Sequence, residues 1–208
     1  MNVTRVKVKI CGVTSVTDAV AIANAGADAI GLVFYEPSPR YVEPEVAREI
    51  ALALPAFVNV VGLFVDAEPD AITQVLERVA IDTLQFHGQE TERACSLYGK
   101  PYIKSIAMRP DLDVSEMIAL YPSASALLLD TFVENLPGGT GQSFDWQKVP
   151  DNSQKPLILA GGLTPENVQS AIVQTRPYAV DVSGGVESSK GKKDIDKVQK
   201  FIREVLNA

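Results

Sequence analysis

Along the chain, hydrophobic positions alternate between two spacings: short runs of period two, then longer runs of period near 3.6. The first short run is Lys7-Val8-Lys9-Ile10-Cys11-Gly12. Val6, Val8 and Ile10 share one face of the predicted strand, Lys7, Lys9 and Cys11 share the other, and Gly12 ends it. A helix is predicted from Ser15 to the stop at Gly26. Strands at 28–34 and 58–65 and helices at 44–54 and 69–79 follow, both helices opening on proline. The pattern continues with strands at 82–87, 101–108 and 124–130 and helices near 91–98 and 114–120. A glycine-rich stretch, residues 137–141, precedes a short helix near 145–149. The last units are a strand at 156–160 with a helix at 164–175, and a strand at 179–182 with a helix at about 195–206.

Eight strand–helix units in 208 residues predict one closed (β/α)₈ barrel spanning residues 1–208, without a linker or second domain. An open doubly wound sheet would carry its glycine-rich turn after strand one. Here the glycine pairs follow strands seven and eight.

Composition narrows the partners. A net charge of −7 argues against nucleic acid, so the run Lys190, Lys192, Lys193 is expected to be a solvated approach to the last helix. No apolar run is long enough to cross a bilayer, and the N-terminus lacks a signal-peptide pattern. Cys11 and Cys95 lie in different kinds of element and are expected as free thiols in a reducing, cytoplasmic setting. His87 is the single histidine, and neither cysteine has metal-ligand spacing, so no metal is expected. A monomer is the expected state, with a homodimer left open.

Three strand tips on the inward parity end in groups that can do chemistry. Cys11 ends strand one and Asp130 ends strand six after Leu127-Leu128-Leu129, which would set the two opposite each other across the mouth. His87 ends strand four. Gly161-Gly162 and Ser183-Gly184-Gly185 fall in the two loops where barrels commonly hold a phosphate on backbone N–H groups. Arg40 sits in a loop stiffened by Pro37 and Pro39, which lowers the entropy of presenting a guanidinium to a carboxylate.

Taken together these residues resemble the phosphoribosylanthranilate isomerase family of tryptophan biosynthesis. The likeness is carried by Lys9-Ile10-Cys11-Gly12, Gly31-Leu32-Val33-Phe34, Ser38-Pro39-Arg40, Gln85-Phe86-His87-Gly88, Leu129-Asp130-Thr131 and Gly139-Thr140-Gly141. Phe144-Asp145-Trp146, Ala160-Gly161-Gly162-Leu163 and residues 181–187 complete it. A related sugar-phosphate isomerase of histidine biosynthesis would carry aspartate in place of Cys11. One departure is Gly184, where a second serine is the more usual residue. The resemblance implies a phosphate-binding barrel and an aldose–ketose isomerase without cofactor or metal. It implies an Amadori rearrangement of N-(5-phosphoribosyl)anthranilate to 1-(2-carboxyphenylamino)-1-deoxyribulose 5-phosphate. Asp130 then resembles the general acid that opens the furanose ring, and Cys11 the general base at C2. Arg40 resembles the group that holds the anthranilate carboxylate, and the glycine loops hold the ribose phosphate. His87 and Gly141 join the expected substrate-binding residues.

Two expectations follow for the site. A free thiol is mostly protonated at neutral pH, so Cys11 needs acidifying, and Lys9 on the same inward face is the available cation. Asp181, inward on strand eight, is expected to pair with Lys9 or to bind a substrate hydroxyl. Two other readings carry weight on the sequence alone. A noncatalytic barrel binding phosphorylated ligands would not need Cys11 and Asp130. The ring-closing lyase of the same pathway would need catalytic lysines and a glutamate at several strand tips.

Overall fold

The computed structural model describes residues 5–132 and 144–208, so the Gly141 expectation lies outside the described residues. Eight parallel strands close into a barrel in sequence order: β1 Lys7–Cys11, β2 Ala29–Val33, β3 Asn59–Phe64, β4 Thr83–Phe86, β5 Tyr102–Met108, β6 Ala126–Thr131, β7 Leu157–Leu159 and β8 Ala179–Val182. Closure comes from β1 pairing with β8, with Lys9 in register with Asp181.

Alternation along each strand divides the apolar side chains into two sets. Val8, Ile10, Leu84, Phe86, Leu127, Leu129, Val180 and Val182 face outward into the layer beneath the helices. Val61, Ile103, Ala126, Leu128, Ile158, Ala160 and Ala179 fill the barrel interior. The upper interior, at the carboxyl ends of the strands, is polar.

The helices are α1 Val16–Asn24, α2 Pro44–Ala53, α3 Pro69–Arg78, α4 Glu92–Cys95, α5 Val114–Leu120, α6 Val168–Thr175 and α7 Ile195–Leu206. Their starts follow from local chemistry: Ser15 caps α1 by accepting from the Asp18 amide at 3.2 Å, and proline opens α2 and α3. In α7, Val198, Phe201, Ile202 and Val205 form the buried stripe that seats it on the barrel. No helix among the described residues is long and apolar enough to cross a membrane.

Two expected elements differ. The helix predicted from Thr164 begins at Val168, because the Asn167 side chain folds back onto the turn. Its Oδ1 accepts from the Thr164 amide at 2.8 Å and its Nδ2 donates to the Gly162 carbonyl at 2.9 Å. In the basic run at 190–193, Lys190 and Lys192 are exposed as expected, but Lys193 is not solvated. Lys192–Lys193 forms β10, antiparallel to β9 Glu187–Ser189, and the Lys193 side chain is buried.

Candidate active site

The carboxyl end of β1 carries a buried ion pair and a buried thiol. Lys9 Nζ lies 2.9 Å from Asp181 Oδ1, the pairing expected from their shared inward parity. The space for it comes from Gly31 on β2. A Cβ on Gly31 would sit 2.8 Å from Cys11 Sγ and 3.1 Å from Lys9 Nζ, so a side chain there would displace one of them. Burial alone would lower the lysine, but Asp181 and Cys11 hold its pKa above the ordinary lysine value.

The expectation that Lys9 makes Cys11 acidic is corrected by its surroundings. Burial pushes the thiol above the ordinary cysteine value, and Asp181 adds to it. Lys9 and Lys193 pull the other way without overcoming burial. Cys11 therefore rests as a thiol. Cys95, the other free cysteine, is the buried last residue of α4 and is pushed up to about 12, chiefly by burial.

Asp130 stands at the end of β6. Its Oδ1 accepts from the Thr131 amide at 2.8 Å, and its Oδ2 lies 3.2 Å from His87 Nε2. Gln85 Nε2, below His87 on β4, is 3.1 Å from the other ring nitrogen, Nδ1. The segment after β4 is anchored by buried Lys104, whose Nζ binds the Gly88 carbonyl at 2.8 Å and Glu90 Oε2 at 3.2 Å. The sequence pointed to Asp130 and His87 separately; their contact and the roles of Gln85, Lys104 and Glu90 carried no periodic signal.

Asp130 borders two cavities. One, of about 300 Å³, is lined by the turn Gly161-Gly162, Ser183-Gly184-Gly185 and Arg40. Gly161 and Gly162 have φ of +78° and +64°, which an L side chain rarely adopts, and a Cβ on Gly185 would overlap the Leu163 carbonyl. These glycines are required by backbone geometry, and they leave the strand-seven and strand-eight turns bare toward the cavity. A Cβ at Gly184 would lie 3.3 Å from Arg40 Nη2, so the departure noted in sequence gives the guanidinium room. The second cavity, of about 550 Å³, is bordered by Tyr35, His87, Met117, Tyr121 and Phe132, with the Arg109 guanidinium 5.0 Å from the Phe132 ring centre. Cys11, 6% exposed, lines neither.

Arg40 has a partner that the sequence reading missed. Its Nε and Nη2 donate to the two carboxylate oxygens of Glu187 at 2.7 and 2.8 Å, a bidentate pair that does not use Nη1. Glu187 also receives Lys193 Nζ at 3.1 Å, and the same ammonium reaches the Ser183 carbonyl at 3.2 Å. Ser183 Oγ in turn donates to the Cys11 carbonyl at 2.9 Å. Burial raises Glu187, yet Arg40 and Lys193 together hold its pKa below the usual value, while burial lowers that of Lys193. An acid and a lysine on either side of Gly191 would have signalled a hairpin. The same pattern reads equally well as a solvated turn.

A closed (β/α)₈ barrel with its ionisable groups gathered at the carboxyl ends of strands one, four, six and eight defines the class: a barrel enzyme. Among known proteins, residues 8–204 match the family model described as N-(5'-phosphoribosyl)anthranilate (PRA) isomerase. The chain is 56% identical over 200 residues to the N-(5'-phosphoribosyl)anthranilate isomerase of Stutzerimonas stutzeri, covering 96% of this chain and 97% of that one. It also superposes on the crystal structure of phosphoribosyl anthranilate isomerase from Thermotoga maritima. There the TM-score is 0.89 and the identity 41%, covering 98% of this chain and all of that one. A further crystal structure of that enzyme, in complex with reduced 1-(o-carboxyphenylamino)-1-deoxyribulose 5-phosphate, matches with a TM-score of 0.86 at 40% identity. It covers 98% of this chain and 100% of that one. The chain belongs to the N-(5'-phosphoribosyl)anthranilate isomerase family.

Proposed function

We propose that Asp130 and Cys11 carry out, as general acid and general base, the isomerisation of N-(5'-phosphoribosyl)anthranilate that defines the family. The ribose phosphate enters the smaller cavity and is held by backbone N–H groups of the Gly161-Gly162 and Ser183-Gly184-Gly185 turns. The anthranilate carboxylate takes Nη1 of Arg40, or displaces Glu187 from the guanidinium face. Asp130 gives its proton to the furanose ring oxygen, opening the ring to a Schiff base. Cys11 gives up its thiol proton to bulk water and, as thiolate, takes the C2 proton; the enolamine then gains a proton at C1 and loses the one on its 2-hydroxyl, which leaves the ketone. Lys9, held by Asp181, opposes the burial that keeps the thiol protonated.

The observation that carries this reading is the place of Asp130 on the border of both cavities. A proton donor there reaches the furanose ring oxygen, next to the carbon that carries the aromatic amine. A noncatalytic binder would have no use for a carboxyl at that border or for buried charges behind a thiol. For location and assembly the reading is a cytoplasmic monomer. Two free, buried cysteines fit a reducing compartment, and a light-scattering mass of twice 22.4 kDa would overturn the monomer.

Loss of substrate fluorescence tests the catalytic roles. Cys11→Ala and Asp130→Ala should each lower turnover by about 10²–10⁴-fold, the usual worth of a positioned acid or base, with unchanged circular dichroism. Near-normal turnover in both would overturn the assignment.

A further inference from the structure

Beneath the acid lies a polar chain that the reaction scheme leaves without a task. Gln85 is fully buried on the inward face of β4, its Nε2 3.1 Å from His87 Nδ1, and His87 Nε2 is 3.2 Å from Asp130 Oδ2. A neutral imidazole carries one N–H. With the amide nitrogen of Gln85 donating to Nδ1, that proton sits on Nε2 and is donated to Asp130. Both Asp130 oxygens then accept, one from His87 and one from the Thr131 amide. That is the state after the acid has given up its proton.

The state before donation needs the opposite polarity. Gln85 Oε1 is a buried side-chain oxygen without a hydrogen-bond donor among the described residues. Turning the carboxamide over brings this oxygen to Nδ1, which must then carry the imidazole proton. Nε2 becomes an acceptor, and only a protonated Asp130 can donate to it. The tautomer change moves one proton from Nε2 to Nδ1 and leaves the ring neutral. The additional proton in this state resides on Asp130, passes to the ring oxygen of the substrate, and is restored from bulk water.

We propose that Gln85 is a positioning residue for the acid: its carboxamide selects the His87 tautomer, and through it whether Asp130 stands as carboxyl or carboxylate. The proposal rests on the reading of Asp130 as the acid. The charges facing the pair are Asp66, Lys104 and Arg109 around the larger cavity and Arg40, Asp181 and Glu187 around the smaller. Gln85 is the uncharged group in direct contact with the ring.

His87 is the single histidine, so ¹⁵N-histidine labelling gives one imidazole to observe in the full-length enzyme. The free wild type above neutral pH should show the Nε2–H tautomer. Gln85→Glu supplies an acceptor only and should bring a proton onto Nδ1, moving the pH profile of kcat while KM changes little. Gln85→Met supplies neither group and should lower kcat by about tenfold, less than loss of the acid itself. An Nδ1–H tautomer in the free wild type would overturn the proposal, as would ring shifts in both variants identical to wild type. A loss of kcat equal at every pH, with the tautomer unmoved, marks a merely structural residue and also overturns it. Asp130→Asn separates the two readings. Full turnover there removes the acid assignment, while a tautomer that still follows Gln85 leaves the hydrogen-bond assignment standing.

Discussion

Cys11 lies among three cations, Lys9, Lys193 and Arg40, and two carboxylates, Asp181 and Glu187, so one positive charge is in excess around a buried thiol. Either a thiolate or an anionic group of the substrate can neutralise it. In the free enzyme burial prevails, and the thiol is raised above its ordinary value of 9.0. A group whose pKa is raised keeps its proton as pH climbs past that value. The wild-type minus Cys11→Ser difference in thiolate absorbance at 240 nm should therefore be absent at pH 7–8 and grow in only above about pH 9. A thiolate half-formed at or below pH 8 would show that the three cations outweigh burial.

The β9–β10 hairpin is the element that ties this charge cluster together. Lys193 bonds to Glu187 and Ser183 at once, and Ser183 reaches the backbone of Cys11. Lys193→Met leaves Glu187 with Arg40 alone and should cost about 3 kcal/mol in urea denaturation. Lys192→Met, one residue away and exposed, should stay within about 0.5 kcal/mol. Equal effects would mean that the ion pair contributes nothing. The hairpin also marks where sequence reading ran out. Parity along β1, β4, β6 and β8 sufficed to place Lys9, Cys11, Gln85, His87, Asp130 and Asp181 inside the barrel, because a strand offers only two faces. Period and composition could not say that Lys193 turns inward, since a two-residue strand has too few positions to show alternation. Arg40 was expected to present its guanidinium to a substrate carboxylate; in the structure it holds Glu187, 147 residues away, a pairing fixed only by barrel closure. The start of α6 shifted for a local reason: Thr164 Oγ1 does accept from the Glu166 amide, but the Asn167 side chain bonds the Thr164 amide and the Gly162 carbonyl, so residues 164–167 form a turn before the regular helix begins at Val168.

At the scale of the molecule the barrel is divided along its axis. Aliphatic side chains fill the lower interior, and ionisable groups occupy the upper end. The net charge of −7 is not reversed at the smaller cavity, whose charged lining is Arg40 against Asp130, Asp181 and Glu187; the excess positive charge is confined to the surroundings of the buried Cys11 thiol. In the proposed reaction the same division separates two tasks: Asp130, at the border of the cavities, is assigned ring opening, and Cys11 is assigned proton removal. Turnover of substrate deuterated at C2 tests that separation directly. In Cys11→Ser, proton removal becomes limiting and the isotope effect on kcat should rise above that of the wild type. In Asp130→Asn, ring opening becomes limiting and the effect should fall toward unity. The reverse order, or the same isotope effect in both variants, would contradict the assignment of base to Cys11 and acid to Asp130.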